Sequence, residues 1–314
     1  MALTPPFTTA EYLESASRVF QLPMNAVQTR SRPRASSLGA CAREQGYMMA
    51  GVEHDPIGAE GSARGTDGDL TAEQGRMFED LSVRIIEGVG LSVVDRQIEL
   101  PDDYPVSGHP DGRLVQQKPD GQVQHIDGLI WGFEHKHLGR WAYEKIIKVG
   151  LFDAEPNYVL QSALYGHALG WDAALFVVVA QDSSSIRGDM TANLRAKNPA
   201  TRWATGTKVH PKVNIVPVDL RPIKNGLVPM ALDRAKWLSN WQETDGDPAN
   251  IAREYDPTVQ ESKWVADGNG DRMEVMRQPF PCGWCPWLTK CLEAGGGGNR
   301  APGLPWTLEE DTGD

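Results

Sequence analysis

Two groups of residues in this chain have the types and spacing to do chemistry. The first is a set of acids and amines. Phosphodiester hydrolysis needs one or two divalent cations held by hard oxygens, and beside them a group that orients or deprotonates water. Ser107-Gly-His-Pro-Asp111-Gly and Phe133-Glu134-His-Lys136 supply such a set. On an extended strand Glu134 and Lys136 point to one face, so a carboxylate can bind the cation while an ammonium lies next to the nucleophile. The backbone carbonyl of His135 offers a further metal ligand. A helix-borne acid completes the coordination; Glu79 in Gly75-Arg-Met-Phe-Glu79 is the first choice, ahead of Glu73 and Asp80. Gln161 and Tyr165 lie four apart and share a helix face, where they can touch a substrate backbone or position Lys136. Singly these pieces are bland, since an E-x-K is usually an exposed ion pair and a D-G a turn. Their order along the chain is what gives them weight.

The second group is the cysteines. Cys282-Gly-Trp-Cys285-Pro-Trp-Leu-Thr-Lys-Cys291 places three thiols within ten residues, and Cys41 is the only other cysteine. In a reducing compartment four such thiols more often form a metal site than disulfides. Zinc and a [4Fe-4S] cluster both accept four thiolates, and the spacing does not choose between them. Either would clip distant parts of the chain together, contributing on the order of several kcal/mol if affinity is expressed only in the folded state.

The elements that must position these groups are legible in part. Helices are predicted over residues 8–20 and 36–50, the second capped by Ser36 and Ser37 with Cys41 in its first turn. The Gly- and Asp-rich stretch 51–68 reads as an exposed loop, and 71–88 as a long helix. Strands follow at 91–99, 107–116, 122–126 and 129–136, with Lys118-Pro119-Asp120-Gly121 as a turn. Next come a helix over 157–169, a doubly buried strand at 173–180, a strand at 213–218 and a helix over 229–241. A straight hairpin centred on Pro119 and Asp120 would set Asp111 opposite Gly128 and leave Glu134 about 20 Å further along. The strand must therefore break, and Asp127-Gly128 or Gly132 can fold it back. Asp127 is the reserve candidate for the first metal carboxylate. The division expected is an N-terminal segment 1–35, one α/β domain 36–294, and a flexible acidic tail 295–314 that opens on four glycines.

The net charge of -11 and pI near 5.2 argue against wholesale electrostatic coating of nucleic acid. Two local basic tracks are candidates: Arg30, Arg32, Arg34 and Arg43, and Arg140, Lys145 and Lys148. No apolar run approaches the ~18 residues of a membrane span, and the N-terminal residues lack a secretory leader, so a soluble, cytoplasmic protein with no membrane partner is expected. No G-x4-G-K-[ST] phosphate loop is present, so any helicase motor is another protein.

Taken together, Cys41, Glu79, Asp111, Glu134, Lys136, Gln161, Tyr165, Cys282, Cys285 and Cys291 resemble the mark of the RecB-like nucleases of the PD-(D/E)XK superfamily. The resemblance is to the iron-sulfur members: Cas-four-type CRISPR adaptation nucleases, the AddB nuclease domain and phage-encoded relatives. It runs from Ser36 to about Cys291. It implies a restriction-endonuclease-like mixed central sheet flanked by helices and a [4Fe-4S] cluster on the four cysteines joining N- and C-terminal segments. It further implies Mg2+ or Mn2+ at Glu79, Asp111, Glu134 and the His135 carbonyl, and exonucleolytic cleavage of DNA, single-stranded or from ends. Helicase, recombinase or integrase partners and homo-oligomers belong to the same expectation. Two readings compete with it. One is a non-catalytic iron-sulfur or zinc scaffold that binds DNA or a recombination partner; the other is a redox sensor shielded by Trp284 and Trp287.

Overall fold

A computed structural model describes residues 29–53, 66–117, 122–181, 213–255, 261–266, 272–277, 282 and 285–303. The expected helix at 8–20, the turn at 118–121, Trp284 and residues 304–314 lie outside them. The chain forms two compact units, each assembled from separated stretches. Among the described residues no helix is long and apolar enough to cross a membrane.

The larger unit draws on Arg32–Ala40 and Gly75–Ser239. Its centre is a mixed six-stranded sheet in the order β1(Leu91–Val94), β2(Gly112–Gln117), β4(Trp131–Leu138), β5(Ala173–Ala180), β6(Val213–Asp219), with the two-residue β3(Val123–Gln124) beside β2. β4 and β5 run parallel, Glu134 beside Phe176 and Lys136 beside Val178; the remaining pairs are antiparallel. Parallel neighbours need a crossover connection. Here it consists of α3(Arg140–Val149), α4(Leu151–Ala154) and α5(Pro156–Leu169). Pro156 opens α5, where its missing N–H costs nothing, and Gly170 at φ +77° closes it in the left-handed conformation glycine adopts freely. β5 reads Ala-Ala-Leu-Phe-Val-Val-Val-Ala, mostly buried along its length, as expected for a central strand covered on both faces.

The two faces of β4 are covered differently. On one, Val83 and Ile86 of α2(Thr66–Gly88) form a cluster with Val93, Leu114, Phe133 and Val177. On the other, Gly132 meets Trp171: a Cβ added at Gly132 would lie 2.0 Å from the indole Cε3. Only hydrogen on that Cα lets the buried Trp171 ring sit against the sheet.

Several boundaries differ from those expected, for local reasons. β1 stops at Val94 because Asp95 and Gln97 take positive φ values of 53° and 52°, which no strand accommodates. α2 starts at Thr66, inside the stretch read as loop. α6(Arg221–Thr244) starts eight residues before Pro229, with the Asp219 carboxylate accepting from the Arg221 N–H at 3.0 Å; the proline expected to open this helix lies inside it. A 3-10 turn, Ala35–Ser37, precedes α1(Ala42–Met49), so Cys41 is the residue capping α1 and not part of its first turn.

The smaller unit contains α1, the 3-10 turn Pro248–Asn250, the hairpin β7(Glu261–Ala266) with β8(Arg272–Arg277), and α7(Leu288–Glu293). Its glycine run is not a free tail. Asn299 N–H donates to Asn250 C=O at 2.7 Å, Ala252 N–H donates to Asn299 C=O at 2.9 Å, and a Cβ at Gly298 would sit 2.5 Å from the Asn250 oxygen. Glycine here permits close approach of two backbones.

Replacing Gly132 by alanine overfills the Trp171 contact. We expect Gly132→Ala to destabilise the protein by roughly 1–3 kcal/mol or more, read from the urea midpoint; an unchanged midpoint would contradict this packing.

Candidate active site

The register of β2 against β4 builds the site. Gly112 pairs with Phe133, so one step back along β2 brings Asp111 to the level of Glu134. The carboxylate of Asp111 accepts the backbone N–H of His135 at 2.6 Å. β3 pairs with β2 in a different frame, Gln116 opposite Gln124. The change of frame is absorbed by a tight turn in which Ile126 pairs with Leu129 and Asp127 and Gly128 adopt φ of 53° and 74°. Positive φ at both central residues marks a type I′ turn, which Asp-Gly favours. This is the break the sequence demands between Asp111 and Glu134. Asp127, held in reserve for the place of Asp111, is an exposed residue of this turn.

Glu134 is fully buried, and its Oε2 accepts from Lys136 Nζ at 2.8 Å. Its Oε1 has no hydrogen-bond partner among the described residues. Lys136 Nζ also lies 3.5 Å from Gln161 Oε1 and 5.2 Å from the Tyr158 ring centroid. Gln161 Nε2 donates to the Tyr165 hydroxyl at 3.0 Å, so the two α5 residues form one relay behind the lysine. Gly108 makes room for it, because a Cβ there would lie 2.7 Å from the Tyr165 oxygen. The other edge of the site comes from α2. Glu79 Oε1 accepts from Arg96 at 2.9 Å and from Gln97 at 3.3 Å, and Gln97 also reaches Asp111 Oδ1 at 3.4 Å. Glu79, Asp111, Glu134, Lys136, Gln161 and Tyr165 are thus gathered in one unit. The same Arg96 Nη2 also donates to Asp80 Oδ1 at 2.6 Å.

His135 turns its ring away from this group, with Nδ1 3.1 Å from Ser82 Oγ. Its N–H faces Asp111, and its C=O faces the same side, since both groups of one strand residue address one neighbour. Arg96, Gln97 and Ser82 escaped sequence reading. The only signal was the polar run Asp95-Arg96-Gln97 breaking the alternation expected of a strand.

Burial sets the electrostatics. The Glu134 carboxyl is pushed up to about 7, chiefly by loss of water, with Lys136 drawing it down and Asp111 adding to the rise. For Lys136 burial works against the charge, yet the adjacent Glu134 and Asp111 outweigh it and raise its pKa above the ordinary value. The lysine is therefore an ammonium. Glu79 is raised by burial and by Asp111, an effect Arg96 opposes. Tyr165 is raised to about 12, mainly by burial, and stays a phenol. His135 falls to about 4, again mainly by burial, and is neutral.

All four cysteines line one pocket in the smaller unit, with Arg43, Glu44, Tyr47, Arg253, Tyr255 and Leu288. Cys282 C=O accepts from Cys285 N–H at 3.0 Å, a turn that folds the two thiols to one side; α7 then carries Cys291. Trp287 is buried, stacks on Tyr47 at 5.9 Å between centroids, and donates Nε1–H to Val52 C=O at 2.9 Å. Burial raises Cys41, and raises Cys285 to about 12, so both thiols stay protonated unless a cation takes the proton's place. Among the described residues no group of three or more His, Cys, Asp or Glu stands ready to hold a metal ion. At the carboxylates, donors of the chain itself reach Glu79 Oε1, both oxygens of Asp111 and Glu134 Oε2, while the buried Glu134 Oε1 has none among the described residues.

Several residues of the two basic tracks are engaged within the chain. Arg43 is fully buried, donating to the carbonyls of Ile251, Ala249, Gly295 and Gly297 and reaching Cys291 Sγ at 3.9 Å. Arg32 binds the carbonyls of Pro101, Asp102 and Tyr104. Arg140 and Lys148 both pair with Glu144, and Lys145 donates to Ala154 C=O.

No family model matches the chain, and no curated protein matches it. Among solved structures it is similar to a phage related exonuclease from Haemophilus somnus 129PT, at 11% identity and a TM-score of 0.41, over 71% of this chain and all of that one.

The Glu134 carboxyl holds its proton more tightly in the folded protein than in the unfolded chain. Between about pH 4.5 and pH 7 the unfolded state releases that proton first, so stability falls as pH rises through this window. We expect Glu134→Gln to remove a slope of up to roughly 1.4 kcal/mol per pH unit, read as unfolding free energy of metal-free protein against pH. An identical slope in the variant would contradict the buried acid.

Proposed function

We propose that this protein is a divalent-metal-dependent DNA nuclease of the PD-(D/E)XK class, working on DNA ends or single strands, with a [4Fe-4S] cluster in the four-cysteine pocket. The observation that carries the reading is the meeting of Asp111, immediately before β2, with Glu134 and Lys136 of β4, and Glu79 of α2 linked to Asp111 through Gln97. A buried carboxylate oxygen without a partner is expensive. Glu134 Oε1 is such an atom, and a hard cation is what it suits.

Glu134, Asp111 and Glu79 would hold Mg2+ or Mn2+, with the His135 carbonyl turned to the same side. Bound there, the ion supplies a Lewis acid for a phosphoryl oxygen and lowers the pKa of water. The residues of the chain do the rest. Lys136, kept as an ammonium, donates toward the attacking water and toward negative charge that builds on the phosphate. The Gln161–Tyr165 relay holds Lys136 in place, and the neutral Tyr165 hydroxyl keeps a donor available. Burial around Glu134 strengthens each of these interactions.

In the other unit the thiols of Cys41, Cys282, Cys285 and Cys291 would hold the cluster. A cluster with four thiolates is larger than a single ion and anionic. A pocket that gathers four thiols beside the cations of Arg43 and Arg253 suits it. Its part is structural, far in chemistry from the carboxylates.

Two measurements test the reading. Purified without oxygen, the protein should be brown, with iron and sulfide near four each per chain as a [4Fe-4S] centre requires; stoichiometric zinc and no colour would replace the cluster with a zinc site. With Mn2+ or Mg2+ it should degrade end-labelled DNA. Glu134→Ala and Lys136→Ala should each lower the rate by roughly 100-fold or more while iron content stays unchanged. Full activity in both variants would eliminate the assignment and favour a DNA-binding scaffold.

A further inference from the structure

The loop after β1 pays for its shape in backbone strain. Asp95 and Gln97 both lie in the left-handed region, at φ of 53° and 52°, which residues with a Cβ enter at a cost. Such conformations persist where the surroundings hold them, and they cluster at functional sites. Every residue of this loop is held. Arg113 Nε donates to Asp95 at 2.7 Å, and Arg96 spans Glu79 and Asp80. Gln97 N–H donates to Pro110 C=O at 2.9 Å, which ties the strained residue to the backbone immediately before Asp111. The side chain of Gln97 is then aimed at two acids from two different elements, Glu79 Oε1 at 3.3 Å and Asp111 Oδ1 at 3.4 Å.

A carboxamide has two edges, an NH2 that donates and an oxygen that accepts, and a half-turn of the terminal torsion exchanges them. Between two carboxylates with no cation the NH2 edge is favoured. With a divalent cation between them the preference reverses, because hard cations take amide oxygens as readily as carboxylates. Both distances to Gln97 are long for hydrogen bonds, so little is lost when that edge turns away.

We propose that Gln97 is a further ligand of the cation site, presenting Oε1 to a divalent ion held by Glu79 and Asp111. The proposal rests on the reading that Glu79, Asp111 and Glu134 bind such an ion. It accounts for a non-glycine residue being kept at a left-handed position where glycine would be less strained. It also gives the loop 95–97 a part in the cation site beyond the pairing of Arg96 with Glu79 and Asp80.

The test is Mn2+ binding to the purified full chain without DNA, by calorimetry, alongside thermal unfolding of the metal-free protein. Gln97→Gly relieves the strained φ and removes the carboxamide. It should leave the melting temperature unchanged or raised while weakening Mn2+ binding about tenfold or more. Gln97→Glu keeps an oxygen ligand but cannot donate, so it should bind Mn2+ at least as tightly as the natural chain, although the metal-free variant melts lower beside Glu79 and Asp111. A Gln97→Gly variant that binds Mn2+ within about twofold of the natural chain, while Glu79→Ala and Glu134→Ala abolish binding, overturns the role of Gln97 and spares the site. Natural affinity in Glu79→Ala and Glu134→Ala overturns the cation site itself. If Gln97→Gly does not fold, Gln97→Glu still decides: loss of Mn2+ binding in it overturns the proposal.

Discussion

A carboxylate without solvent exposure at the middle of a sheet is the constraint around which the larger unit is arranged. Burying Glu134 costs free energy unless a cation answers it, and Lys136 two residues along the same strand is placed to do so. The lysine is itself desolvated, so it needs acceptors of its own, which Gln161 and the face of Tyr158 supply. α5 must therefore pack closely over β4, and two positions without side chains allow it. Gly132 admits the Trp171 ring that follows α5, and Gly108 admits the Tyr165 hydroxyl. The mixed sheet, the crossover helices and the glycines thus serve one electrostatic problem.

The same problem explains why the meander is irregular. Strands paired in a single frame from the 118–121 connection onward would carry Glu134 far beyond Asp111. The type I′ turn at Asp127-Gly128 shifts the frame between β3 and β4 and sets the two acids side by side. A turn of this kind depends on backbone conformations that Gly and Asp tolerate, and it needs no help from distant packing.

The smaller unit meets a comparable demand with sulfur and guanidinium. Arg43 is withdrawn wholly from water, and its donors are taken up by carbonyls from two segments, 249–251 and 295–297. Arg253 adds contacts to the carbonyls of Cys291 and Leu292. The run Gly295–Gly298 reads as a tail by composition; instead its carbonyls at Gly295 and Gly297 accept from Arg43, and at Gly298 a side chain would collide with the Asn250 backbone. An arginine counted from sequence as part of a basic track proves to be a structural core cation.

Much of what short range governs was legible in the amino-acid order, although the end of β1 and the starts of α2 and α6 were not. The strand at Ala173–Ala180 followed from its apolar run, and α5 was expected over 157–169, one residue from its start at Pro156. Glu134 and Lys136 shared a face because a pleat alternates, and Gln161 and Tyr165 because a helix returns every fourth residue. The need for a break before Glu134, and the residues able to make it, were also legible, since turn chemistry is local. The three-dimensional arrangement was needed to bring Glu79 to Asp111 through Gln97, to leave Asp127 in its turn, to bury Arg43, and to add Arg96 and Gln97 to the acids. Each of these depends on which distant segment lies opposite, and on whether a side chain's charge is answered by a neighbour or by water. No pattern within a window of residues encodes that answer.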